Sequence, residues 1–216
     1  MIQYIFILIS IINPPKHKTI LCLGDSYTIG ESVKQTERFP EQTVSLLNKK
    51  KTEFDAPEII ARTGWTTKNL ISAIEDRHLQ TTYDYVTLLI GVNDQFQGKS
   101  ITSYQANFEF LLQTAIYYAG NKPDHVIVLS IPDYGVTPFA QYGRLSLLQI
   151  SNEIDAFNSV NKTISEKYKV HYIDITPISR KAKDANDLLA PDGLHPSGLM
   201  YKEWAELVAV KINESD

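Results

Sequence analysis

The stretch TILCLGDS, residues 19–26, is an apolar run that stops abruptly at a glycine, an acid and a serine. Because the run is apolar on both faces, it predicts a buried strand over 19–24. A strand that ends here places the Ser26 hydroxyl at the carboxyl edge of a sheet, where open α/β proteins bind their ligands. Ser26 is therefore a candidate nucleophile, provided that the chain also supplies a base and an oxyanion site.

Strand-like apolar runs alternate with amphipathic stretches of helical length along the whole chain. This alternation predicts an α/β fold with three layers, α/β/α, in which helices cover both faces of a mostly parallel central sheet of about five strands. The strand order cannot be read from the sequence. Strands are predicted at 19–24, 58–61, 85–90, 125–130 and 170–173, and helices at 36–51, 66–78, 103–118, 145–168 and 197–212.

The composition is that of one soluble globular domain. The chain has 216 residues, of which 43% are hydrophobic and 21% charged, and a formal net charge of −4. This length fits a single core, which we place at residues 19–216. The absence of a basic stripe argues against a nucleic-acid partner. Cys22 is the one cysteine, and its place inside a predicted strand indicates a buried, inert thiol.

Residues 1–18 form a separate apolar N-terminal segment and linker. The run MIQYIFILISII, residues 1–12, is shorter than the ~20 residues that a membrane-spanning helix needs. Two interpretations stay open, a packing arm that is retained and a secretion or anchoring signal. The run lacks a basic flank and a small-residue cleavage site, which slightly favours a cytoplasmic over a secreted or periplasmic location.

Polar residues follow several of the predicted strands. Gly64 comes after the second strand, Gly91-Val92-Asn93-Asp94 after the third, and Asp192-Gly193-Leu194-His195 directly before the last helix. A serine hydroxyl needs a base, which His195 can supply, and Asp192 can orient the imidazole from the same short loop. The backbone N–H groups of Ser26 and Gly64 and the Asn93 amide are candidate donors to an oxyanion. Each motif alone is weak, but together they indicate a hydrolase.

In this order, the four motifs resemble the four blocks of the SGNH hydrolase superfamily, also called GDSL-type esterases and lipases. They extend over residues 24–195, and the surrounding sequence is most similar to the lysophospholipase-like bacterial esterases of that superfamily. The resemblance implies a flavodoxin-like fold without metal or cofactor. It also implies catalytic roles for Ser26, Asp192 and His195 and an oxyanion hole formed by Ser26, Gly64 and Asn93. The first block often continues with leucine, where this chain has Tyr27.

Five further residues are candidates for the substrate pocket. The segment 132–144 is rich in glycine and proline and contains aromatic side chains, which predicts a long loop that covers the site. Tyr27 and Ile29, at the rim next to the nucleophile, and Trp65, which follows Gly64, complete the set. The pocket candidates are Tyr27, Ile29, Trp65, Tyr134 and Phe139.

The sequence therefore predicts a serine esterase that hydrolyses carboxylic esters, with acetyl or short-acyl esters as the first choice of substrate. A lysophospholipase or thioesterase and a carbohydrate acetylesterase of the same superfamily are the alternatives. A non-catalytic α/β module that only binds a ligand is a rival from another class. The expected partner is a small-molecule, lipid or carbohydrate ester. The sequence leaves the oligomeric state open, and a monomer is compatible with it.

Overall fold

The computed structural model describes residues 17–50, 53–77, 79 and 82–215. The apolar run 1–12 lies outside these residues, so its interpretation stays a prediction, as does the domain boundary at residue 19. Lys18 forms an isolated parallel bridge with Phe54.

Within the described residues, five parallel strands form one sheet. The strands are β1 (Ile20–Gly24), β2 (Glu58–Ala61), β3 (Tyr85–Leu89), β4 (Val126–Leu129) and β5 (His171–Ile173). Their order across the sheet is β2-β1-β3-β4-β5, which is the flavodoxin-like order. The predicted fold class is thus confirmed, and the order adds what the sequence left open.

The helices cover both faces of the sheet. On one face α2 packs against α8, and on the other α3, α5 and α6 pack in series. The helices are α1 (Ser26–Ile29), α2 (Phe39–Lys49), α3 (Thr67–Glu75), α4 (Val92–Phe96), α5 (Ile101–Tyr118), α6 (Leu147–Tyr168), α7 (Thr176–Arg180) and α8 (Gly198–Ser215). The core between these layers includes the buried strands together with the aromatic side chains of Phe39, Tyr201 and Trp204.

Three short helices were not predicted, namely α1, α4 and α7. Each has only four or five residues. One turn is too short to show the 3.6-residue periodicity from which helices are recognised. The predicted loop 132–144 is irregular, as expected, but it contains two 3₁₀ turns, Tyr134–Val136 and Pro138–Tyr142.

The strand order places the site. β1 pairs with β2, the next strand in the chain, on one side and with β3 on the other side. In the pairing of β1 with β3, Gly24 lies opposite Leu89. In open α/β sheets the crevice at such a switch point lies at the carboxyl ends of the strands and binds the ligand. The segments that follow β1 and β3, α1 and α4, therefore begin side by side. Among the described residues, no helix combines the length and apolar composition needed to cross a membrane.

Candidate active site

Ser26 is the first residue of α1 and follows β1 after a single intervening residue, Asp25. Close packing fixes this turn, because a Cβ on Gly24 would lie 2.0 Å from Thr28 Oγ1 and 2.4 Å from the Leu89 carbonyl oxygen. The Asp25 carboxylate caps α1 by accepting a hydrogen bond from the Tyr27 N–H at 3.0 Å. The Ser26 side chain consequently faces a pocket at the carboxyl edge of the sheet.

Asp25 serves the turn and is itself fully buried. Burial raises the pKa of its carboxyl to about 8; the hydrogen bond from the Tyr27 N–H opposes this rise, and the nearby Asp94 adds to it. A carboxyl that keeps its proton near neutral pH places no negative charge beside Ser26. This accords with a structural role for Asp25 rather than a part in proton transfer.

The Asp192–His195 loop carries the acid and the base. Asp192 Oδ1 accepts hydrogen bonds from the N–H groups of Leu194 at 2.9 Å and His195 at 3.0 Å. Asp192 Oδ2 lies 2.7 Å from His195 Nδ1 and accepts a second hydrogen bond, from Ser32 Oγ, at 2.6 Å. Gly193 has φ +66°, a left-handed conformation in which glycine is unstrained.

These bonds decide the charge of Asp192 and the tautomer of His195. Burial acts to raise the Asp192 pKa, but the hydrogen bonds from Ser32, the His195 ring and the two backbone N–H groups outweigh it and lower the pKa to about 2. An ionised carboxylate only accepts hydrogen bonds, so His195 Nδ1 carries the proton that it donates. In the neutral imidazole with its proton on Nδ1, the other ring nitrogen, Nε2, has the lone pair that can accept a proton.

The Tyr27 ring packs against the His195 ring. The two ring centroids are 5.3 Å apart at an interplanar angle of 57°, and Tyr27 also contacts Trp204. Ser26 and His195 line the same pocket. The contacts of the described residues include no hydrogen bond between the Ser26 hydroxyl and the imidazole. Such bonds are often long in enzymes without substrate and tighten when substrate binds.

Gly64 and Asn93 line the pocket together with Ser26 and His195. Gly64 has φ +80°, and apart from its two chain neighbours no atom of the described residues lies within 4 Å of the point where a Cβ would stand, so its backbone borders open space. Asn93 Nδ2 donates a hydrogen bond to the Trp65 carbonyl oxygen at 3.0 Å. Because an amide nitrogen has two hydrogens, this bond orients the group and leaves the second N–H free to donate.

Asp94 couples the two elements that carry these donors. Its carboxyl oxygens accept hydrogen bonds from the Thr67 N–H at 2.8 Å and from Thr67 Oγ1 at 2.6 Å. Thr67 begins α3, shortly after Gly64, and Asp94 lies in α4 next to Asn93. The bond between α3 and α4 therefore fixes Gly64 and Asn93 relative to each other.

The pocket has a volume of about 130 Å³ and is mostly apolar. Of the predicted pocket residues, Tyr27, Tyr134 and Phe139 line it, whereas Ile29 and Trp65 do not. Trp65 instead contributes its carbonyl oxygen to orient Asn93. The full lining is Ser26, Tyr27, Thr63, Gly64, Val92, Asn93, Phe96, Tyr134, Phe139, Leu194 and His195.

Sequence reasoning missed four of the lining residues, Thr63, Val92, Phe96 and Leu194. Three of them are direct neighbours of the predicted Gly64, Asn93 and His195, so adjacency is the signal that would have found them. Phe96 follows Asn93 by three residues, which on a helix means the same face. Finding it required knowing that Val92–Phe96 is a helix. The Phe96 ring lies 6.0 Å from Tyr134 and 6.2 Å from Phe139, measured between centroids.

Metal-ligating clusters and the Cys22 thiol are two further features that bear on the chemistry of the site. Within the described ranges, no three His, Cys, Asp or Glu side chains are grouped so that they could hold a metal ion. Cys22 is buried in β1, and burial raises the pKa of its thiol to about 12, although a hydrogen bond with Thr87 acts to lower this pKa. A protonated, buried thiol is no rival to Ser26 as a nucleophile.

A flavodoxin-like sheet with a serine after β1, and a histidine–aspartate loop, a glycine and an asparagine at the same pocket, defines the class of SGNH-type hydrolases. The model of the GDSL-like lipase/acylhydrolase family matches residues 22–203, and the chain belongs to this family. It is accordingly an ester-hydrolysing enzyme. No curated protein matches the chain in sequence.

Several solved structures share this fold. A lipase/acylhydrolase from Enterococcus faecalis has a TM-score of 0.69 at 22% identity, with 91% of this chain and 96% of that chain covered. TesA has a TM-score of 0.69 at 17% identity, with 92% and 100% covered. Axe2, an acetylxylan esterase from Geobacillus stearothermophilus, has a TM-score of 0.67 at 19% identity, with 90% and 94% covered. At these identities the likeness shows the fold alone.

Proposed function

We propose that this enzyme is a serine esterase that cleaves carboxylic esters of short acyl groups through an acyl-enzyme on Ser26. The observation that carries the proposal is the convergence of Ser26, the Asp192–His195 pair, Gly64 and Asn93 on one small apolar pocket. A nucleophile, an oriented base and oxyanion donors are the parts that acyl transfer needs.

In the first half of the reaction, Ser26 Oγ attacks the acyl carbon while His195 Nε2 takes the hydroxyl proton. The negative charge moves to the carbonyl oxygen, which receives hydrogen bonds from the N–H groups of Ser26 and Gly64 and from Asn93 Nδ2. His195 then donates its proton to the alkoxide oxygen as the ester bond breaks, and the alcohol leaves. Asp192 stays ionised throughout and stabilises the imidazolium.

In the second half, water replaces the alcohol. His195 takes a proton from the water as its oxygen attacks the acyl carbon, and the same donors hold the oxyanion. The proton returns to Ser26 Oγ as the acyl-oxygen bond breaks, which releases the carboxylic acid and restores the hydroxyl.

The pocket volume supports a short acyl group. At about 130 Å³ it is well below the ~300–1,000 Å³ of pockets that enclose drug-sized ligands. An acetyl or butyryl group suits this space better than the long chain of a lysophospholipid or a fatty thioester. Acetylated carbohydrates stay within the proposed class, because they present the same acetyl group on a larger alcohol.

Hydrolysis of p-nitrophenyl esters tests the proposal. We expect wild-type turnover to be highest for acetate or butyrate, to fall at hexanoate and octanoate, and to disappear in Ser26→Ala. A fluorophosphonate probe should label the wild type at Ser26 and leave Ser26→Ala unlabelled. Wild-type turnover no better than that of Ser26→Ala for every ester, without labelling, would instead indicate a module that binds ligand without reacting.

A further inference from the structure

A second hollow adjoins the active-site pocket. Its volume is about 620 Å³, and it shares Phe96, Tyr134 and Phe139 with the pocket, so the two spaces meet at these three rings. We call it the basic groove. Its lining is Phe96, Gln97, Lys99, Tyr134, Phe139, Ala140, Tyr142, Gly143, Arg144, Leu145 and Ile150.

The charges of the basic groove all have one sign. Lys99 and Arg144 are exposed, and no aspartate or glutamate is among the lining residues. Over the ranges that the structure describes, neither cation forms an ion pair. The charge of Lys99 acts on the buried Asp94, but the Asp94 carboxyl accepts its hydrogen bonds from Thr67. Two cations without carboxylate partners favour an anionic ligand.

The remaining surface of the groove is apolar and in contact with water. Tyr142 is 90% exposed, and Phe96, Phe139 and Leu145 are also exposed. A groove with apolar walls and cationic groups fits an apolar stem that ends in a negative charge, since each part of such a ligand meets its complement.

The position of the groove relative to His195 indicates which part of an ester would reach it. The leaving alcohol has to lie beside His195, which protonates it, so the acyl group extends away from His195. The groove shares no lining residue with the side of the pocket formed by Tyr27, Leu194 and His195. A long acyl chain would therefore leave the pocket past the Phe96 and Tyr134 rings into the groove.

Resting on the function proposed above, we propose that the basic groove binds the distal end of an acyl group that carries a negative charge. The enzyme then accepts monoesters of medium-length dicarboxylic acids in addition to short neutral acyl esters. Lys99 and Arg144 compensate the distal carboxylate, which the small apolar pocket could not accept.

Matched pairs of p-nitrophenyl esters test this inference. The ratio of kcat/KM for the adipic acid monoester to that for the hexanoate measures the effect of the distal charge at constant chain length, and suberate against octanoate repeats it. We expect this ratio to exceed one in the wild type and to fall by about 5–10-fold in Lys99→Gln/Arg144→Gln, because two exposed charge contacts are lost. The ratio should fall below one in Lys99→Glu/Arg144→Glu and decrease with added salt.

Lys122→Gln is the matched control, since Lys122 is exposed and lies before β4, at the amino-terminal end of that strand. It should leave the ratio unchanged. A second pair, 4-acetoxybenzoate against 4-acetoxybenzamide, places the charge on the alcohol. The inference is overturned if the acyl-side ratio is unaffected by the double variants, or if the anion is preferred only on the alcohol. Failure of the proposed function looks different, since neutral esters would then show no turnover that depends on Ser26.

Discussion

Ser32 Oγ donates a hydrogen bond of 2.6 Å to Asp192 Oδ2, the same oxygen that lies 2.7 Å from His195 Nδ1. Ser32 holds this position with φ +63°, one of three non-glycine residues among those described that adopt the left-handed conformation. Left-handed backbone is unfavourable for residues with a Cβ. A strained residue whose side chain bonds to the candidate catalytic acid indicates a positioning role.

We therefore expect Ser32→Ala to lower kcat/KM for p-nitrophenyl acetate by about tenfold, the effect of losing one hydrogen bond to a charged group. Asp192 would lose one of the hydrogen bonds that lower its pKa, so that pKa should rise above about 2. A carbon-13 NMR titration of the Asp192 carboxyl measures this rise directly. An unchanged titration would show that the Ser32 hydroxyl does not act on the Asp192 carboxylate.

Ser32→Gly separates the hydroxyl from the backbone. Glycine removes the same hydroxyl but also relieves the left-handed strain, so this variant should be more stable to heat than Ser32→Ala. Both variants should lose activity to a similar extent. Full activity in Ser32→Gly would show that the hydrogen bond to Asp192 has no part in catalysis.

Asn93→Ala tests the oxyanion assignment. Removing one preorganised donor typically costs about 10²–10³ in kcat, and we expect a loss of that size with little change in KM, because the donor acts on charge that develops only in the transition state. The bond from Asn93 Nδ2 to the Trp65 carbonyl would also be lost, so thermal unfolding should be measured alongside. Turnover within threefold of wild type would remove Asn93 from the proposed mechanism.

Much of this fold could be predicted from the sequence, because strands buried on both faces leave continuous apolar runs. The runs 19–24 and 85–90 agree with β1 and β3 to within one residue at each end. The residues of the candidate site could be predicted for a related reason, since they follow such strands or lie in a short loop with its own acid and base. Their roles stay predictions, which the variants proposed here test.

Other features could not be predicted because they depend on contacts between distant segments. The bond from Ser32 to Asp192 joins residues 160 positions apart, and neither residue's neighbours in sequence indicate it. Ile29 and Trp65 were expected at the pocket from adjacency alone. The direction of the Ile29 side chain depends on α1, which was not recognisable as a helix in the sequence. Trp65 lies in no helix, two residues before α3 begins.

Asp25→Asn tests the charge state of the buried carboxyl. The folded-state pKa of about 8 is above the ordinary value near 4, so the folded protein binds this proton more tightly than the unfolded chain does. Below pH ~4 both states are protonated; between pH ~4 and 8 the free energy of unfolding therefore decreases as the pH rises. Asparagine can still accept the Tyr27 N–H but has no charge to bury. The melting temperature of Asp25→Asn should match wild type near pH 4 and exceed it by at least ~5 °C at pH 8.

The control is Asp184→Asn, a change at an exposed carboxylate. Its melting temperature should follow that of wild type across the same pH range. If the melting temperatures of Asp25→Asn and Asp184→Asn changed with pH in the same way, Asp25 would be ionised in the folded protein at neutral pH. The conclusion that Asp25 places no negative charge beside Ser26 would then be wrong.

Phe96→Ala tests the aromatic wall between the pocket and the basic groove. Phe96 is 55% exposed, so its removal should cost little stability, but its ring contacts both Tyr134 and Phe139. Without the ring the passage between the two spaces becomes wider, so neutral acyl groups longer than butyryl gain room. We expect the ratio of kcat/KM for p-nitrophenyl octanoate to that for acetate to rise by about tenfold, the effect of roughly two additional buried methylene groups.

Phe110→Ala, which removes a similarly exposed ring from α5 away from the site, should leave the ratio unchanged. An unchanged ratio in Phe96→Ala would mean that another boundary limits the acyl chain.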